Sequence, residues 1–267
     1  MTYASSDTPQ LSISVDDFLW WPSSARVHDF MLRGKDHYAC DEGLGRTIVR
    51  HAPFLAASIR RDRNFVVSTV RELARAGLRQ VIDLGCGLPR KPFLHEVVAQ
   101  HQPDARVLYV DQDPIVIAHA DARLTGAAPL IVERLQADII RPQTILSSPV
   151  LRTSIDLSEP VVLVVGSVLH HVPQPGARAL LWAFSRVVAP GSIVILTHWT
   201  GDFSPKAMGK AAGALTDAGL PVYLRTEREI AGLFDGWDVM PPGVAPPETF
   251  PGPRAGSSSY AVIGCKP

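Results

Sequence analysis

A short apolar run that ends in an aspartate and is followed by two closely spaced glycines constrains this chain more than any other stretch. It covers residues 80–89, with the sequence QVIDLGCGLP. The apolar residues predict a strand, the glycines predict a tight turn, and a helix is expected over residues 91–100. Glycine lets a ligand approach the backbone, and free N–H groups where a helix begins can bind it. The stretch therefore predicts a strand–turn–helix unit with a ligand site at the end of the strand.

The next predicted strand indicates which ligand binds there. Its sequence is RVLYVD, and its last residue, Asp111, lies 24 residues after Gly87. At the carboxyl edge of a neighbouring parallel strand, such a carboxylate can accept hydrogen bonds from both hydroxyls of a ribose. The third glycine of a dinucleotide-binding fingerprint is replaced by Arg90, and Asp83 would repel a pyrophosphate but suits a cation. The pattern therefore favours S-adenosylmethionine, which carries a sulfonium and an ammonium group, over NAD.

Length and charge narrow the class of protein. The 267 residues, 46% of them hydrophobic, are enough for one α/β domain with an appendage. The 26 basic and 26 acidic residues balance, so a nucleic-acid partner is not expected. Cys40, Cys86 and Cys265 share no metal-ligand spacing and predict reduced thiols in a cytoplasm. No signal peptide and no membrane-spanning run is expected. The sequence leaves a homodimer open.

The order of the predicted elements indicates an α/β fold with a mostly parallel sheet and helices on both faces. We expect a flexible tail over residues 1–17, a helical lid or appendage over residues 18–77, and the ligand-binding domain over residues 78–267. Ser23 is the expected N-cap of the first helix, and Gly34 is its expected C′ residue. Seven strands are predicted, at residues 80–84, 106–111, 132–137, 160–165, 192–197, 237–240 and 258–264.

Polar residues follow five of these strands, and in open α/β sheets ligands bind at the carboxyl ends of the strands. We therefore expect one shared cleft. No metal site is predicted, because no second carboxylate cluster accompanies Asp138. His170, His171 and His198 are the candidates for a catalytic base, since histidine titrates near neutral pH. The candidate cofactor contacts in this part of the chain are Asp83, Gly85, Cys86, Gly87, Asp111, Gln112, Asp138, Ile139, Gly166 and Ser167.

Four stretches together resemble the class I S-adenosylmethionine-dependent methyltransferases, and within them an actinobacterial-type group of largely uncharacterised members. The stretch most specific to this group is PSSARVHDFMLRGKDHY at residues 22–38, which carries its pattern PS-x-ARV-x-D-x-x-L-x-GKD. DLGCGLP, YVDQDP and VLHHVP extend the match over nearly the full length. The resemblance implies a Rossmann-like sheet of seven strands with the last strand antiparallel. It also implies Gly85 and Gly87 on the methionine part, Asp111 on the ribose and Asp138 near the adenine.

The same resemblance implies that the N-terminal helices fold over the cofactor, with Arg33, Gly34 and Tyr38 as contacts. Two positions depart from the group's pattern. Arg90 stands where a small polar residue is usual, and ETFP at residues 248–251 stands where a Trp-Arg-Pro run is usual. Both departures are expected near the acceptor pocket.

The leading hypothesis is a methyltransferase that uses S-adenosylmethionine, releases S-adenosylhomocysteine, and acts on a small-molecule acceptor such as an intermediate of secondary metabolism. Methyl transfer from a sulfonium is an in-line displacement, so the protein's main task is alignment. An S-adenosylmethionine-binding regulatory protein without methyl transfer is the alternative. An NAD-type oxidoreductase is a third hypothesis, disfavoured by Arg90.

Overall fold

The computed structural model describes residues 20–249 and 257–267. The tail predicted at residues 1–17, and residues 250–256 of the Pro- and Gly-rich segment before the last strand, lie outside these residues. The described part is organised around one seven-stranded sheet with helices on both of its faces.

The predicted strands and most of the predicted helices are present, with small shifts of their bounds. The strands are β1 (Gln80–Leu84), β2 (Arg106–Asp111), β3 (Ile131–Gln136), β4 (Val162–Gly166), β5 (Ile193–Trp199), β6 (Asp238–Val239) and β7 (Ser259–Cys265). The helices are α1 (Ser24–Met31), α2 (Ala39–His51), α3 (Leu55–Arg75), α4 (Leu94–Ala99), α5 (Pro114–Arg123), α6 (Pro142–Leu146), α7 (Pro149–Ser154), α8 (Gln174–Ser185), α9 (Pro205–Asp217) and α10 (Glu227–Ala231).

The strand order in the sheet is β3-β2-β1-β4-β5-β7-β6. Strands β1 to β5 are parallel, and β7 runs antiparallel between β5 and β6. This confirms the Rossmann-like fold and the antiparallel last strand. The order reverses between β1 and β4, and a crevice forms at such a reversal outside the carboxyl ends of the strands.

Strand β5 is longer at its carboxyl end than the sequence predicted. It ends at Trp199, and its last two residues, His198 and Trp199, pair with Tyr260 and Ser259 of β7. The predicted strand end at residue 197 was therefore two residues short, and His198, expected at the carboxyl end, lies within the strand. The cause is the antiparallel partner, which continues the ladder past the point where the apolar run stops.

Each face of the sheet is covered by its own apolar layer. Phe65, Val66 and Val70 of α3 pack with α4 and α5 on one face, and α6, α7, α8 and α10 cover the other. Burial of each such side chain contributes roughly 1.5–3 kcal/mol. Helix α3 is thus part of the layer over the sheet, whereas α1 and α2 pack with α9 and Trp199 in a third cluster. This arrangement sets α1 beside the carboxyl ends of the strands.

The segment around α1 is held by buried polar contacts. The Ser23 side chain accepts a hydrogen bond from the Arg26 N–H, which confirms the predicted N-cap. The helix ends differently from the prediction, because the left-handed residue is Arg33, with φ of 61°, rather than Gly34. Gly34 is needed for space, since a Cβ there would lie 1.7 Å from Asp29 Oδ1. The loop after α1 therefore closes around the Asp29 carboxylate.

No helix within the described ranges has both the length and the apolar character that crossing a membrane requires.

Candidate active site

A cavity of about 310 Å³ lies between the carboxyl ends of the strands and the helices α1 and α3. Its size falls at the lower end of the range for small-molecule sites. Most of the residues predicted from the strand ends meet here. Those that line it are Asp83, Gly85, Cys86, Gly87, Asp111, Gln112, Asp138, Ile139, Gly166, Ser167 and His171.

The glycine loop after β1 is shaped by close packing. Gly85 and Gly87 have φ of 73° and 64°, and a Cβ on Gly85 would lie 2.4 Å from a Val168 methyl group. The N–H groups of Gly85 and Cys86 donate to the Val110 carbonyl, and that of Gly87 donates to Asp111. Helix α4 begins only at Leu94. The prediction that this loop offers free N–H groups at a helix start was therefore wrong, because the end of β2 binds them.

Asp111 at the end of β2 holds both the glycine loop and its own turn. Its Oδ2 accepts from the Gly87 N–H at 2.9 Å, and its Oδ1 accepts from the Asp113 N–H at 3.0 Å. Burial raises the pKa of this carboxyl, while the hydrogen bonds from Asp113 and Gly87 act in the opposite direction. A carboxylate has about four acceptor sites, so roughly two remain for hydroxyl groups of a ligand.

Asp83, near the end of β1, is a buried carboxyl group that a cationic ligand would stabilise. It is buried, and burial raises its pKa to about 7, with Arg63 lowering and Asp111 raising that value. Arg63 of α3 lines the same cavity and donates through Nη2 to the carbonyls of Arg90 and Pro92. Its Nε is buried without a hydrogen-bond partner among the described residues. One acid and one base thus face the same end of the cavity, and each has hydrogen-bonding capacity to spare.

Beyond β3, Asp138 accepts a hydrogen bond from the Ile140 N–H at 2.9 Å, the geometry of an Asx turn. Asp138 and Ile139 line the cavity at this end of the sheet, opposite the end of β4. Cys86, in the glycine loop, also lines it, and burial raises the pKa of its thiol, so a nucleophilic thiolate is not favoured.

Asp62 of α3 joins the cavity wall to the last strand. It accepts hydrogen bonds from the hydroxyls of Ser167 and Ser259, and burial raises its pKa to about 7. Ser167 adopts a left-handed conformation with φ of 52°, and its N–H and hydroxyl both contact the Thr197 hydroxyl. Strained backbone of this kind persists where the surroundings hold it, and here the polar network does so.

His171 is the one of the three candidate catalytic histidines that lines the cavity. It lies in the 3-10 turn Leu169–His171 after β4. Its Nδ1 lies 3.0 Å from the Pro221 carbonyl, which can only accept, so Nδ1 carries the proton. Burial lowers the pKa of the ring. In the neutral ring Nε2 is then a hydrogen-bond acceptor, as a general base requires.

His198 is buried inside the sheet, and both of its ring nitrogens form hydrogen bonds within the protein. Its Nδ1 lies 2.7 Å from the Trp199 carbonyl, and its Nε2 accepts from Arg225 at 2.6 Å. Burial, with the charge of Arg225, lowers its pKa to about 3. Arg225 is only 3% exposed and also donates to the carbonyls of Leu169 and Val172 and to Gln174 Oε1. This guanidinium therefore clamps the turn that carries His171.

His170 is fully buried and stacks on the Trp199 ring, with centroids 4.2 Å apart and planes 11° apart. Neither ring nitrogen has a hydrogen-bond partner among the described residues. Burial, with His171 and His198 nearby, lowers the pKa of this ring well below its ordinary value. Such a ring packs as an aromatic side chain and does not line the cavity.

Replacing His170 with phenylalanine is expected to flatten the pH dependence of stability. The unfolded chain takes up a proton below about pH 6.5 and the folded His170 does not, so folding stability falls as pH falls through that range. The difference between variant and wild type should change by about 1.4 kcal/mol per pH unit between roughly pH 6.5 and 5. The measurement is urea denaturation at several pH values.

The variant also removes two unpartnered buried nitrogens while keeping the stack on Trp199, so at neutral pH it should be at least as stable as the wild type. The other histidines with lowered pKa values remain in both proteins and cancel in the difference. Parallel stability profiles for the two proteins would contradict a depressed pKa for His170.

Three predicted cofactor contacts from the N-terminal segment are not part of the cavity lining. Arg33 is exposed and Gly34 packs against Asp29. The Tyr38 ring lies 4.9 Å from the Arg26 guanidinium, which forms a buried ion pair with Asp41. These three residues contribute to the structure of the segment. Other residues of the segment line the cavity, and His28 is one of them.

Sequence reasoning missed four residues: His28, Asp62, Arg63 and Arg225. Asp62 had a visible signal, because it lies at helical spacing on the apolar face of α3 with Ile59 and Phe65. Arg225 had none, since its partners come from Leu169, Val172, Gln174 and His198, far away in the chain. Within the described residues, no group of three or more His, Cys, Asp or Glu side chains could hold a metal ion.

The chain is similar to known proteins over most of its length. A family described as S-adenosyl methyltransferase matches residues 12–258. Among solved structures, a DUF574 family protein from Streptomyces avermitilis is 30% identical, with a TM-score of 0.89, covering 93% of this chain and 99% of that one. A candidate methyltransferase from Thermobifida fusca is 32% identical, with a TM-score of 0.84, covering 92% and 95%. No curated protein matches the chain.

Proposed function

Because this chain belongs to the S-adenosyl methyltransferase family and is an S-adenosylmethionine-dependent methyltransferase, we propose that it methylates a small molecule enclosed between α1, α3 and the strand ends. The observation that carries the proposal is the meeting of Asp83, Asp111 and His171 in one cavity beneath α1. The bound cofactor supplies an electrophilic methyl group on a sulfonium. The protein's part is to bind both substrates, to align the acceptor with the methyl group and to exclude water.

The residues of the cavity fit this cofactor. Asp111 would accept from the ribose hydroxyls, and Asp138 with Ile139 would lie at the adenine. Asp83 would receive the ammonium group, and Arg63, with its buried and unpartnered Nε, would receive the carboxylate. A charge-assisted hydrogen bond of this kind contributes about 1.5–3 kcal/mol. The carboxylate partner is thus assigned to Arg63 in place of Arg33.

The size of the cavity supports a small acceptor. Residues of α1 and α3 form one wall and the strand ends form the other, within about 310 Å³. The balanced net charge offers no long-range attraction for a polynucleotide. An intermediate of natural-product synthesis is a molecule of suitable size.

His171 is the proposed general base of this reaction. Its Nε2 is left as an acceptor by the Nδ1 contact with Pro221, and it lies in the turn after β4. A positioned base of this kind contributes roughly 10²–10⁴-fold to the rate of proton transfer. His170 and His198 are not proposed to act on the acceptor, because both rings are buried away from the cavity.

Replacing Arg63 with glutamine is expected to weaken binding of S-adenosylmethionine by about tenfold to a hundredfold, because one charged hydrogen bond to the carboxylate is lost. Calorimetry measures the effect. Arg60→Gln is the matched control, since Arg60 is on the same helix but does not line the cavity. Methylthioadenosine, which lacks the carboxylate, should bind both variants equally. An equal loss for this compound would contradict the assignment.

The proposed function is tested by calorimetry with S-adenosylmethionine, followed by assay of S-adenosylhomocysteine release across a panel of metabolites. We expect binding in the micromolar range and release with at least one acceptor of small size. Binding of the cofactor together with methylation only of added protein or nucleic acid would overturn the small-molecule proposal.

A further inference from the structure

The cavity divides into two ends of different chemistry. Asp83, Asp111 and Asp138 follow β1, β2 and β3, which lie side by side in the sheet, and they are assigned to the cofactor. The remaining rim belongs to β4, β5 and the helices above them. Side chains that line this second end include Ser167, His171 and Thr197, and it is here that an acceptor would lie.

Two histidines line the cavity, and they come from separate parts of the chain. His171 belongs to the turn after β4, and His28 belongs to α1. They are close enough that charge on His171 would lower the pKa of His28. The Nδ1 of His171 is committed to the Pro221 carbonyl, whereas the ring of His28 forms no hydrogen bond with a described residue. The ring nitrogens of His28 are therefore available for a hydrogen bond with a ligand.

Both rings are neutral near pH 7. Burial lowers the pKa of His28 to about 4, with His171, Arg63 and Arg90 acting in the same direction, and burial lowers that of His171. A neutral imidazole offers one donor and one acceptor. His171 presents its acceptor, Nε2, and His28 can present a ring N–H donor beside it.

We infer that His28 is a second catalytic residue and that the acceptor is a hydroxyl compound of the phenol class, held between His28 and His171. The apolar side chains of Ile59, Val172 and Leu220 line the cavity and offer surface for a flat ring. The inference rests on the proposed function and adds the class of the acceptor to it.

In the proposed step the phenol loses its proton to the protein and gains the methyl group of the cofactor. The acceptor's O–H proton passes to Nε2 of His171 while the His28 N–H donates to the same oxygen and stabilises its growing negative charge. A new O–C bond forms to the methyl carbon, and the S–C bond breaks with its electron pair left on sulfur. His171 ends as an imidazolium and later releases the proton to water.

Other acceptor classes suit this end of the cavity less well. A carboxylate has no proton for His171 to take and needs a cation. Of the cations in the lining, Arg63 is assigned to the cofactor carboxylate and Arg90 donates to the Leu32 carbonyl. An alkylamine arrives protonated, and a neutral donor such as His28 gives its nitrogen no stabilisation. A hydroxyl group uses both the donor and the acceptor.

The test uses the full chain with three histidine variants. Methyl transfer from S-adenosylmethionine is measured with 4-nitrophenol and catechol, with aniline and benzylamine, and with benzoate. Binding of 4-nitrophenol is also measured in the presence of S-adenosylhomocysteine. His28→Phe removes the donor, His28→Gln keeps an N–H donor, and His51→Gln changes an exposed histidine of α2 as the control.

We expect methylation of the phenols alone, with the rate lowered about a hundredfold in His28→Phe and largely retained in His28→Gln. The phenol should bind His28→Phe about tenfold more weakly, while S-adenosylmethionine binds all variants alike. The inference is overturned if His28→Phe matches His51→Gln, if amines or benzoate are the acceptors, or if the cofactor binds but no phenol does. A wild type that fails to bind the cofactor would instead overturn the proposed function.

Discussion

Asp111→Ala is expected to weaken binding of S-adenosylmethionine by at least about a hundredfold, which corresponds to roughly 2.7 kcal/mol. Two causes act together. The variant loses the acceptors proposed for the ribose hydroxyls, at about 1.5–3 kcal/mol for each charged hydrogen bond. It also releases the Gly87 and Asp113 N–H groups, which the carboxylate holds at 2.9 and 3.0 Å. Calorimetry with the cofactor measures the loss.

The control for this prediction is Asp104→Ala, which removes an exposed carboxylate whose partner is Arg79 and which lies away from the cavity. Circular dichroism and a melting curve should show that Asp111→Ala remains folded. An affinity within about threefold of the wild type would exclude Asp111 as the ribose partner, since that difference is less than about 0.7 kcal/mol.

Arg225→Met is expected to cost about 4 kcal/mol or more of unfolding free energy. The side chain is buried, and its removal leaves four acceptors without their donor: the carbonyls of Leu169 and Val172, Gln174 Oε1 and His198 Nε2. Each of the three buried acceptors left unpaired costs about 1–3 kcal/mol, whereas water can replace the donor to the exposed Gln174. The free energy of unfolding of a whole domain is only about 5–15 kcal/mol, so the loss would be a large fraction of the stability. Denaturant unfolding measures it.

Arg225→Lys is expected to recover little, because an ammonium group cannot reproduce the planar fork that reaches several acceptors at once. Arg228→Met is the control, since Arg228 is exposed on α10. Its unfolding free energy should lie within about 0.5 kcal/mol of the wild type. A comparably small effect for Arg225→Met would show that water replaces the guanidinium and that the clamp on the His171 turn is unimportant.

The parts of the site that depend on the ends of parallel strands could be predicted from the sequence. Asp83, Asp111 and Asp138 each follow an apolar run, and parallel strands bring their carboxyl ends to one edge. The strand bounds followed from the same runs. Where a bound was wrong, as at His198, the cause was a partner strand that arrives from the far end of the chain.

Contacts between distant segments could not be predicted, because no local pattern records them. The N–H groups of the glycine loop are bound by the end of β2, which a motif cannot show. Arg63 lines the cavity because α3 packs on the sheet, and no local motif indicates this. Arg33 lies in a conspicuous motif, which favoured it as a cofactor contact, but its side chain is exposed. The tautomer of His171 depends on the Pro221 carbonyl, fifty residues further along the chain.

The hydrogen bonds from Ser259 to Asp62 and from the Ser258 N–H to Ser58 connect the final strand to α3 across about two hundred residues. Asp62 therefore contacts Ser167 in the cavity wall and Ser259 in β7, which itself pairs with β5. Contacts between such distant segments form only after a long loop has closed, which slows their formation. We therefore expect this wall of the pocket to be completed late in folding.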